Sequence, residues 1–508
     1  MPSRTELSQL EARYDLAIVG GGITGAGILR EAVRTGARVL LVEQNDFASG
    51  TSSWSSKLVH GGLRYLKTGQ WRLTLESVRE RQRLMREAPG LIDPQAFLLP
   101  IYSDRKPSRW VMQIGLFVYD LMAGQRNSRW LNSDETLAAV PQVRSERLRG
   151  AVAYEDARTD DARLVLRLIF DSVAQGATAL NYVHAGLMQS SGKVSGVQLR
   201  DGSGATRDIR ADLVINATGA WAGSVPGAPG GGPTLRPLRG SHLVFSTARL
   251  PIATAVSWLH PQDQRPIFAY PWEGAVVYGT TDIDHAAALD SPAITPGEVD
   301  YLLAGLAAQF PALKLVAADI LSTYAGVRPV VASGKADPSA ESRESAMWSS
   351  PGLVNITGGK LTTFRVTARE VLRKAAQQVA RLEPGFDAPV FVSSGAPSRL
   401  AGRLGNQNAQ KLLQELPQEA GTLIPGTPCS MAELRWAARH EMVVHLEDLL
   451  MRRTRLGLVM KDGARELLPQ LALLCRDELG WDDNKWRAEE ARYLDYWQRQ
   501  HGAPPAAA

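Results

Sequence analysis

A glycine cluster near the start of the chain has the spacing of a phosphate-binding turn. Gly20, Gly22 and Gly25 form a G-x-G-x-x-G between the apolar run 16–19 and a stretch of helical character. The first glycine permits a tight bend, the second lets a pyrophosphate approach the backbone, and the third lets helix and strand pack closely. Glu43 ends the next apolar run, 21 residues after Gly22, where an acid can bond a ribose hydroxyl. This register predicts a dinucleotide site; a purely structural glycine turn is the alternative.

Two later glycine-rich turns indicate which dinucleotide is bound. The segment 216–219 (NATG) follows the apolar run 211–216, and the segment 357–360 (TGGK) follows the run 353–356. If all these runs are parallel strands, their carboxyl ends meet at one edge of the sheet. A cofactor contacted by three such distant segments is extended, which favours FAD over a nicotinamide dinucleotide. The alternative is that both turns only cap helices.

The segment 51–66, TSSWSSKLVHGGLRYL, combines many hydroxyl groups with His60, Arg64 and Tyr65. Clustered hydroxyls either cap a helix or bond a polar cofactor ring, and the pattern slightly favours a cap. By itself, a lone histidine or arginine more often has a structural or solvated role than a catalytic one.

The elements that must position these residues follow from the hydrophobic periodicity. The first 42 residues contain a βαβ unit, and strand-like alternation over 240–330 indicates a second, antiparallel sheet. Helices are predicted over the following segments: 23–35, 71–86, 161–174, 297–310 and, as a helical region, 431–501. The apolar segment RWVMQIGLFVYDLM is either a helix that lies in a membrane interface or a buried helix of the second domain.

Composition excludes several classes of protein. The 508 residues are 44% hydrophobic and 21% charged, as in an ordinary globular protein of two or three domains. Two cysteines cannot form a disulfide framework. No stretch reaches the roughly 20 apolar residues of a membrane span, and the first residues lack the apolar core of a secretory signal. The net charge is +5, and residues 64–129 contain 12 basic and 6 acidic residues. That surplus indicates either an anionic surface nearby or a solvated charged face.

Several long motifs occur together in one order along the chain. TSSWSSKLVHGGLRYL, the glycine motif before it, and YGTTD, YAGVRP and GGKLTTFR after it closely resemble the FAD-dependent (aerobic, respiratory) glycerol-3-phosphate dehydrogenases. The segment ELRWAARHEMVVHLEDLLMRRTRLGL resembles the C-terminal domain of that family. The resemblance covers nearly the whole chain.

This resemblance implies an α/β fold with three parts. A Rossmann-like FAD-binding domain, discontinuous over 1–105, 150–238 and 325–390, would hold the cofactor. An interposed antiparallel-sheet substrate (cap) domain would comprise 106–149 and 239–324. A C-terminal helical domain would follow over 391–508.

The resemblance also implies FAD as cofactor and assigns residues to it. The expected FAD-binding residues are Gly20, Gly22, Thr24, Gly25, Glu43, Thr51, Ser52, Ser53, Ser56, Lys57, His60, Gly61, Gly62, Leu63, Gly219, Gly359, Leu361 and Thr362. No metal site is expected.

The implied reaction is oxidation of sn-glycerol 3-phosphate to dihydroxyacetone phosphate by hydride transfer to flavin N5. His242 is the expected base for the C2 hydroxyl, and Arg328 would anchor the glycerol oxygens. The phosphate dianion needs cations and donors, and the matching residues are Arg64, Tyr65, Arg343 and Lys360. The sequence around Arg343 departs from the family pattern, so Lys335 competes with it for this role.

The implied electron acceptor is a membrane quinone. We therefore expect a cytoplasmic protein held peripherally on the inner face of the cell membrane, with an anionic lipid surface as partner, no nucleic acid, and a homodimer as one candidate assembly. The first alternative is an oxidase that passes electrons to oxygen and releases peroxide. Others are a non-catalytic flavin- or nucleotide-binding regulatory protein and an amine-oxidising relative, which would not need several cations around a dianion.

Overall fold

The computed structural model describes residues 4–62, 71–106, 109–124, 127–334, 341, 344–392 and 398–504. The strands are, in chain order, β1 (Arg13–Val19), β2 (Val39–Val42), β3 (Leu58–Val59), β4 (Ile92–Tyr102), β5 (Arg129–Asn132), β6 (Leu148–Thr159), β7 (Thr178–Leu180), β8 (Val183–Ser190), β9 (Lys193–Asp201), β10 (Thr206–Asn216), β11 (Leu235–Ser246), β12 (Ala255–Leu259), β13 (Pro266–Trp272), β14 (Ala275–Gly279), β15 (Ile283–Asp284), β16 (Ile320–Val331), β17 (Ala346–Ser350) and β18 (Leu353–Thr357). The α-helices are α1 (Ile23–Val33), α2 (Trp71–Glu87), α3 (Arg109–Ala123), α4 (Ser133–Ala139), α5 (Asp161–Val173), α6 (Pro296–Gln309), α7 (Phe364–Ala376), α8 (Arg399–Leu404), α9 (Asn406–Glu415), α10 (Pro417–Ala420), α11 (Met431–His440), α12 (Leu456–Val459), α13 (Leu468–Leu479) and α14 (Asp483–Gln500).

The first sheet carries the glycine motif. Its strand order is β17-β18-β10-β1-β2-β7, and the β8-β9 hairpin extends β10. The pairs β10-β18, β1-β10, β1-β2 and β2-β7 are parallel. β2 is a continuous buried apolar run, and β18 is buried along its whole length although it contains Asn355 and Thr357, as expected of strands covered on both faces. Helix α1 packs between α5 and α7 on one face of the sheet, which confirms the predicted βαβ unit.

The second sheet has the order β15-β11-β14-β13-β12-β4-β6-β3, with β16 beside β11 and β5 beside β6. Its antiparallel character confirms the predicted second sheet, and helix α6 confirms the helix predicted over 297–310. The predicted domain boundaries differ from this arrangement. The segments 1–105, 150–238 and 325–390 were expected to form the cofactor domain, but they include β3, β4, most of β6 and part of β16.

Strands β4 and β6 belong to the second sheet because they pair with strands that are distant in the sequence. β4 and β6 pair from Ile92 opposite Thr159 to Tyr102 opposite Leu148, and β12 joins β4 in parallel. Alternation of apolar residues predicts a strand but does not say which sheet the strand enters.

The C-terminal region is helical, as predicted. Its apolar core is shared with the second sheet, since Leu450 and Leu456 lie in one cluster with Tyr270 and Tyr324. A π-helical turn, Asp448–Arg453, leads into α12, and its Arg452 and Arg453 pair with Asp46 in the segment that follows β2.

Helix α3 corresponds to the apolar segment for which two alternatives were open. Leu116 and Tyr119 are buried on one face, whereas Trp110, Phe117 and Leu121 are exposed on the other. One face of the helix is therefore buried, as the second alternative predicts, and the other face is exposed. Among the helices of the described ranges, none combines the length and the hydropathy needed to cross a membrane.

Candidate functional site

The glycine turn after β1 leaves its backbone open at the carboxyl edge of the first sheet. Gly20 has φ +112°, and a Cβ there would lie 2.6 Å from the carbonyl oxygen of Ala217. A Cβ on Gly25 would lie 1.9 Å from the carbonyl oxygen of Gly20. Larger residues are therefore excluded at both positions. The first amide of α1, on Ile23, donates to Ser52 Oγ at 2.9 Å, so a hydroxyl of the segment 51–66 does cap a helix.

Glu43 stands at the end of β2 beside this turn. Its carboxylate accepts hydrogen bonds from the amides of Gly21 at 2.7 Å and Asn45 at 2.9 Å. Burial raises the pKa of Glu43, although these amides favour the ionised form. Each carboxylate oxygen has a second lone pair, which can accept a ribose hydroxyl from the cavity that Glu43 lines.

The two later glycine turns meet the first one, as the parallel sheet requires. Thr357 Oγ1 donates to the carbonyl oxygen of Gly219 at 2.8 Å, which joins the turns after β10 and β18. Gly219 and Gly359 have φ values of +61° and +91°. Gly20, Gly22, Thr24, Gly219, Gly359, Leu361 and Thr362 all line the same cavity.

That cavity has a volume of about 990 Å³ and lies between the two sheets. It is at the upper end of the range for ligand pockets. Apolar residues such as Val183 and Pro226 line it beside the first sheet, and residues of the second sheet, such as Phe268 and Arg328, complete the wall. The cavity is therefore continuous from the glycine turns of the first sheet to the strands of the second sheet.

The hydroxyl-rich segment contributes to this wall only in part. Thr51, Ser52 and Ser56 line the cavity, as do His60 and Gly62. Ser53 and Lys57 are buried behind the wall, and Lys57 Nζ donates to Asp161 Oδ1 at 3.1 Å. Gly61 is also buried: a Cβ there would lie 2.0 Å from the hydroxyl of Tyr119.

His242 is wholly buried, in β11. Its ring stacks on Tyr324 at 4.5 Å, and its Nε2 atom lies 3.0 Å from Ser56 Oγ. Burial, assisted by the positive charges of Arg328 and Lys57, holds the pKa of His242 well below its ordinary value. The imidazole is therefore neutral at pH 7, and Ser56 separates it from the cavity.

His60 is the histidine that faces the cavity. Its side chain is 41% exposed, and its Nδ1 atom lies 3.2 Å from Asp156 Oδ2. Asp156 also accepts from the amide of Gly61 at 3.0 Å and from Arg81 at 2.7 Å. Burial works against the ionised carboxylate, but His60 and Arg81 hold the pKa of Asp156 below its ordinary value. Asp156 did not stand out in the sequence, because only the pairing of β3 with β6 brings it to His60.

Among the described residues, three cationic side chains line the cavity: Arg265, Arg328 and Lys360. Arg328 Nη1 donates to Asp282 Oδ1 at 2.9 Å, and Arg265 Nη1 lies 3.2 Å from Asp282 Oδ2. The buried carboxylate of Asp282 thus orients both guanidinium groups. Lys360 follows the turn after β18. Sequence reasoning missed Arg265 and Asp282, although Asp282 belongs to the YGTTD motif.

Some of the predicted residues cannot be placed. Leu63, Arg64, Tyr65 and Arg343, together with the competing Lys335, lie outside the described residues.

Comparison with known proteins agrees with this geometry. The family described as FAD dependent oxidoreductase matches residues 15–372, and the family described as C-terminal domain of alpha-glycerophosphate oxidase matches residues 357–486. Among curated proteins, the aerobic glycerol-3-phosphate dehydrogenase of Staphylococcus epidermidis is 38% identical over 378 residues, which is 73% of this chain and 68% of the relative. The enzyme of the same name from Staphylococcus aureus is 37% identical over 377 residues, which is 72% of this chain and 68% of that relative.

Solved structures are similar in fold. The glycerol-3-phosphate dehydrogenase from Bacillus halodurans complexed with FAD has a TM-score of 0.77 and 29% identity, and covers 98% of this chain and 97% of that one. The L-alpha-glycerophosphate oxidase of Mycoplasma pneumoniae, at 17% identity and a TM-score of 0.54 over 75% of this chain and 98% of that one, shows the fold alone.

The two-sheet fold and its glycine-lined cavity define a flavin-dependent oxidoreductase. Within that class, the chain belongs to the family of FAD-dependent glycerol-3-phosphate dehydrogenases. FAD is its cofactor, and the residues fit it: the cavity joins open glycine backbone, a helix N-terminus and the acid Glu43.

Proposed function

We propose that this protein oxidises sn-glycerol 3-phosphate at C2 to dihydroxyacetone phosphate and passes the electrons to a membrane quinone. The observation that carries the proposal is the shared cavity wall: Arg328, Arg265 and Lys360 line the same space as His60 and Ser56. Cations suit a phosphate dianion, and an imidazole can accept an alcohol proton.

FAD, when bound, supplies the chemistry of a two-electron acceptor for the hydride of C2. We propose that Gly20, Gly22, Gly25 and Glu43 hold its dinucleotide part, and that the turns at Gly219 and Gly359 support it along the sheet edge. Gly25 acts indirectly, by letting α1 pack close to β1.

Cations of the wall would hold the substrate. Lys360 would bind the phosphate group, together with Arg64, Tyr65 and Arg343. Arg328, oriented by Asp282, would anchor the glycerol oxygens. A guanidinium fixed by a buried carboxylate loses little further freedom when an oxygen ligand binds.

His60 is the imidazole best placed to take the C2 hydroxyl proton, because it faces the cavity and Asp156, 3.2 Å from its Nδ1 atom, orients its ring. His242, the base expected from the sequence, would accept that proton only through Ser56 Oγ. Its burial makes protonation costly, since its pKa is held low. We therefore assign direct contact to His60 and a supporting role to the pair Ser56–His242.

The exposed face of helix α3 is an argument for our proposal that the electrons pass to a membrane quinone. Trp110, Phe117 and Leu121 form an exposed apolar face, and Met112 and Val118 of the same helix line the cavity. Arg105 and Arg109 stand near the start of the helix. Apolar residues beside cations are suited to the interface of an anionic bilayer. We propose that this face holds the protein peripherally on the cytoplasmic side of the membrane.

Anaerobic reduction tests the function. Addition of sn-glycerol 3-phosphate to the holoenzyme should bleach the flavin absorbance, and a quinone in detergent should restore it. Absence of bleaching would exclude both the dehydrogenase and the oxidase. Peroxide release that matches substrate turnover without quinone would establish the oxidase instead.

A further inference from the structure

A buried group of charged side chains joins the C-terminal helices to the segment that follows Gly50. We call it the junction cluster: Lys57, Asp160, Asp161, Arg403 and Arg455. The charged side chains of this cluster are all at most 3% exposed. Burying this many charges is costly, so each must be held by its partners.

Asp161 fixes the segment 53–57, which we call the serine loop. Its Oδ2 atom accepts hydrogen bonds from the amide of Ser55 at 3.0 Å and from Ser55 Oγ at 2.6 Å. Lys57 Nζ donates to Asp161 Oδ1 at 3.1 Å and to the carbonyl oxygen of Ser53 at 2.7 Å. Ser55 and Ser56 of this loop line the cofactor cavity. One carboxylate therefore holds the loop from behind.

The backbone of the serine loop needs this support. Lys57 has φ +52°, a left-handed conformation that a residue with a side chain adopts at a cost. Its amide donates to Ser55 Oγ at 3.0 Å, which closes the loop on itself. Such a conformation persists only where surrounding contacts determine it.

Arg455, from the C-terminal region, holds Asp161 in turn. Its Nε atom donates to Asp160 Oδ1 at 2.9 Å, and its Nη2 atom donates to Asp161 Oδ1. Its Nη1 atom donates to the carbonyl oxygen of Met451 at 2.8 Å and approaches that of Ser53 at 3.4 Å. One guanidinium group thus bridges the C-terminal π-helical turn, two buried carboxylates and the serine loop. Burial lowers the pKa of Lys57 to about 8. The lysine therefore loses its positive charge more readily than Arg455 does, and Arg455 is the more constant ion-pair partner of Asp161.

A second contact from the C-terminal region reaches the same place. His501, after α14, exchanges hydrogen bonds with Thr323: the Thr323 amide donates to its carbonyl oxygen at 2.7 Å, and its Nδ1 atom lies 2.9 Å from the Thr323 carbonyl oxygen. The ring of His501 lies 4.9 Å from that of Trp54, within the serine loop.

We propose that the C-terminal helical domain positions the cofactor-contacting wall, and that Arg455, acting through Asp161, holds the serine loop in the conformation that receives FAD. Arg455 is a positioning residue, because it reaches the cavity only through other side chains. The proposal rests on the proposed contact between this loop and the cofactor.

The test compares two buried arginines, Arg455 of the junction cluster and Arg163 beside it. Arg455→Met removes the contact to Asp161. Arg163→Met is the matched control, because Arg163 lies on α5, the helix that Asp161 begins, but bonds Glu441 at 2.6 Å and the Arg403 carbonyl oxygen at 3.0 Å. Arg455→Lys keeps the positive charge but loses the forked geometry of the guanidinium group. Ser55→Ala removes the Oγ contacts to Asp161 and to the Lys57 amide, keeps the backbone contact of Ser55 to Asp161, and leaves the arginine in place, so it serves if Arg455→Met does not fold.

Backbone amide hydrogen exchange of residues 53–57 and FAD release on dilution of the holoenzyme are the two measurements. Arg455→Met should speed exchange in the loop and weaken FAD binding by about tenfold or more, whereas Arg163→Met should change both by less than about threefold. Arg455→Lys should fall between, and Ser55→Ala should change both measurements in the same direction as Arg455→Met but by less, because the Ser55 amide and Lys57 still bond Asp161. Equal effects of Arg455→Met and Arg163→Met, or unchanged exchange in Ser55→Ala, would overturn the proposal.

The same measurements separate this proposal from the proposed cofactor contact. If the serine loop does not touch FAD, removing FAD from the parent protein will leave exchange at residues 53–57 unchanged. Arg455→Met would still speed exchange there, which would confine the role of Arg455 to the loop itself.

Discussion

The Nε2 atom of His242 lies 3.0 Å from Ser56 Oγ, and it is the serine that lines the cavity. A proton from an alcohol in the cavity would therefore reach His242 in two transfers. His60 needs only one, since its ring is exposed to the cavity and its Nδ1 atom faces Asp156. This difference separates the roles of the two histidines and can be measured.

His60→Gln should leave FAD bound but slow anaerobic flavin reduction by about a hundredfold or more, as expected when a general base is lost. His242→Gln should slow it much less, because Ser56 remains at the wall. Stopped-flow absorbance with saturating sn-glycerol 3-phosphate measures both. A hundredfold loss in His242→Gln with little change in His60→Gln would instead make His242 the base.

The parts of this site that could be predicted are those that depend on neighbouring residues. The turn from Gly20 to Gly25 and the acid at Glu43 lie within one βαβ unit, whose geometry is fixed by local spacing. The partnership of His60 with Asp156 joins residues 96 positions apart, and only the register of β3 on β6 creates it.

Burial of His242 has a similar origin. It sits opposite Tyr324 in the pairing of β11 with β16, and the tyrosine ring covers it. Strand alternation predicts two faces for β11 but not what covers each face. The assignment of β4 and β6 to the second sheet, and the link from Arg455 to Asp161, likewise depend on contacts that no local pattern encodes.

Lys360→Met should raise the apparent KM for sn-glycerol 3-phosphate by about tenfold or more, because a charge-assisted contact to the phosphate is lost. Steady-state rates with a soluble dye as acceptor measure this. Glycerol, which has no phosphate, is the internal control, and its kcat/KM should change little. An equal loss with glycerol would show that Lys360 supports the cofactor or the fold instead of the phosphate.

Stability should fall as the pH drops from 6.5 towards 3, in part because of His501. Burial, opposed by the hydrogen bond to Thr323, lowers the pKa of His501 to about 3, so the folded state binds its proton less readily than the unfolded state does. The contribution of His501 to the free energy of unfolding is therefore complete above pH 6.5, about its unfolded pKa. It is lost progressively as the pH falls from 6.5 towards 3.

The substitution His501→Asn keeps a polar side chain at this position, but asparagine does not titrate between pH 3 and 7. Between pH 6.5 and pH 5, the free energy of unfolding measured with urea should fall by about 1.6 kcal/mol more for the parent protein than for the variant, since the unfolded histidine gains its proton over this range. Identical pH dependence in the two proteins would mean that His501 can be protonated without cost in the folded state.

Membrane binding should depend on the exposed face of α3. The double substitution Phe117→Ser and Leu121→Ser removes two exposed apolar side chains, each worth about 2 kcal/mol if it is buried in lipid. Co-sedimentation with vesicles rich in anionic lipid should fall by about tenfold or more. Quinone reduction in those vesicles should fall with it, while dye reduction in solution stays unchanged because neither residue lines the cavity.

Leu473→Ser is the matched control, since Leu473 is an exposed leucine on α13 of the C-terminal domain. It should leave vesicle binding unchanged. High salt should weaken binding of the parent protein, because the basic residues near α3 attract anionic lipid through screened charges. If the double variant sediments and reduces vesicle quinone like the parent, α3 does not contact the bilayer, and its apolar face must have another partner.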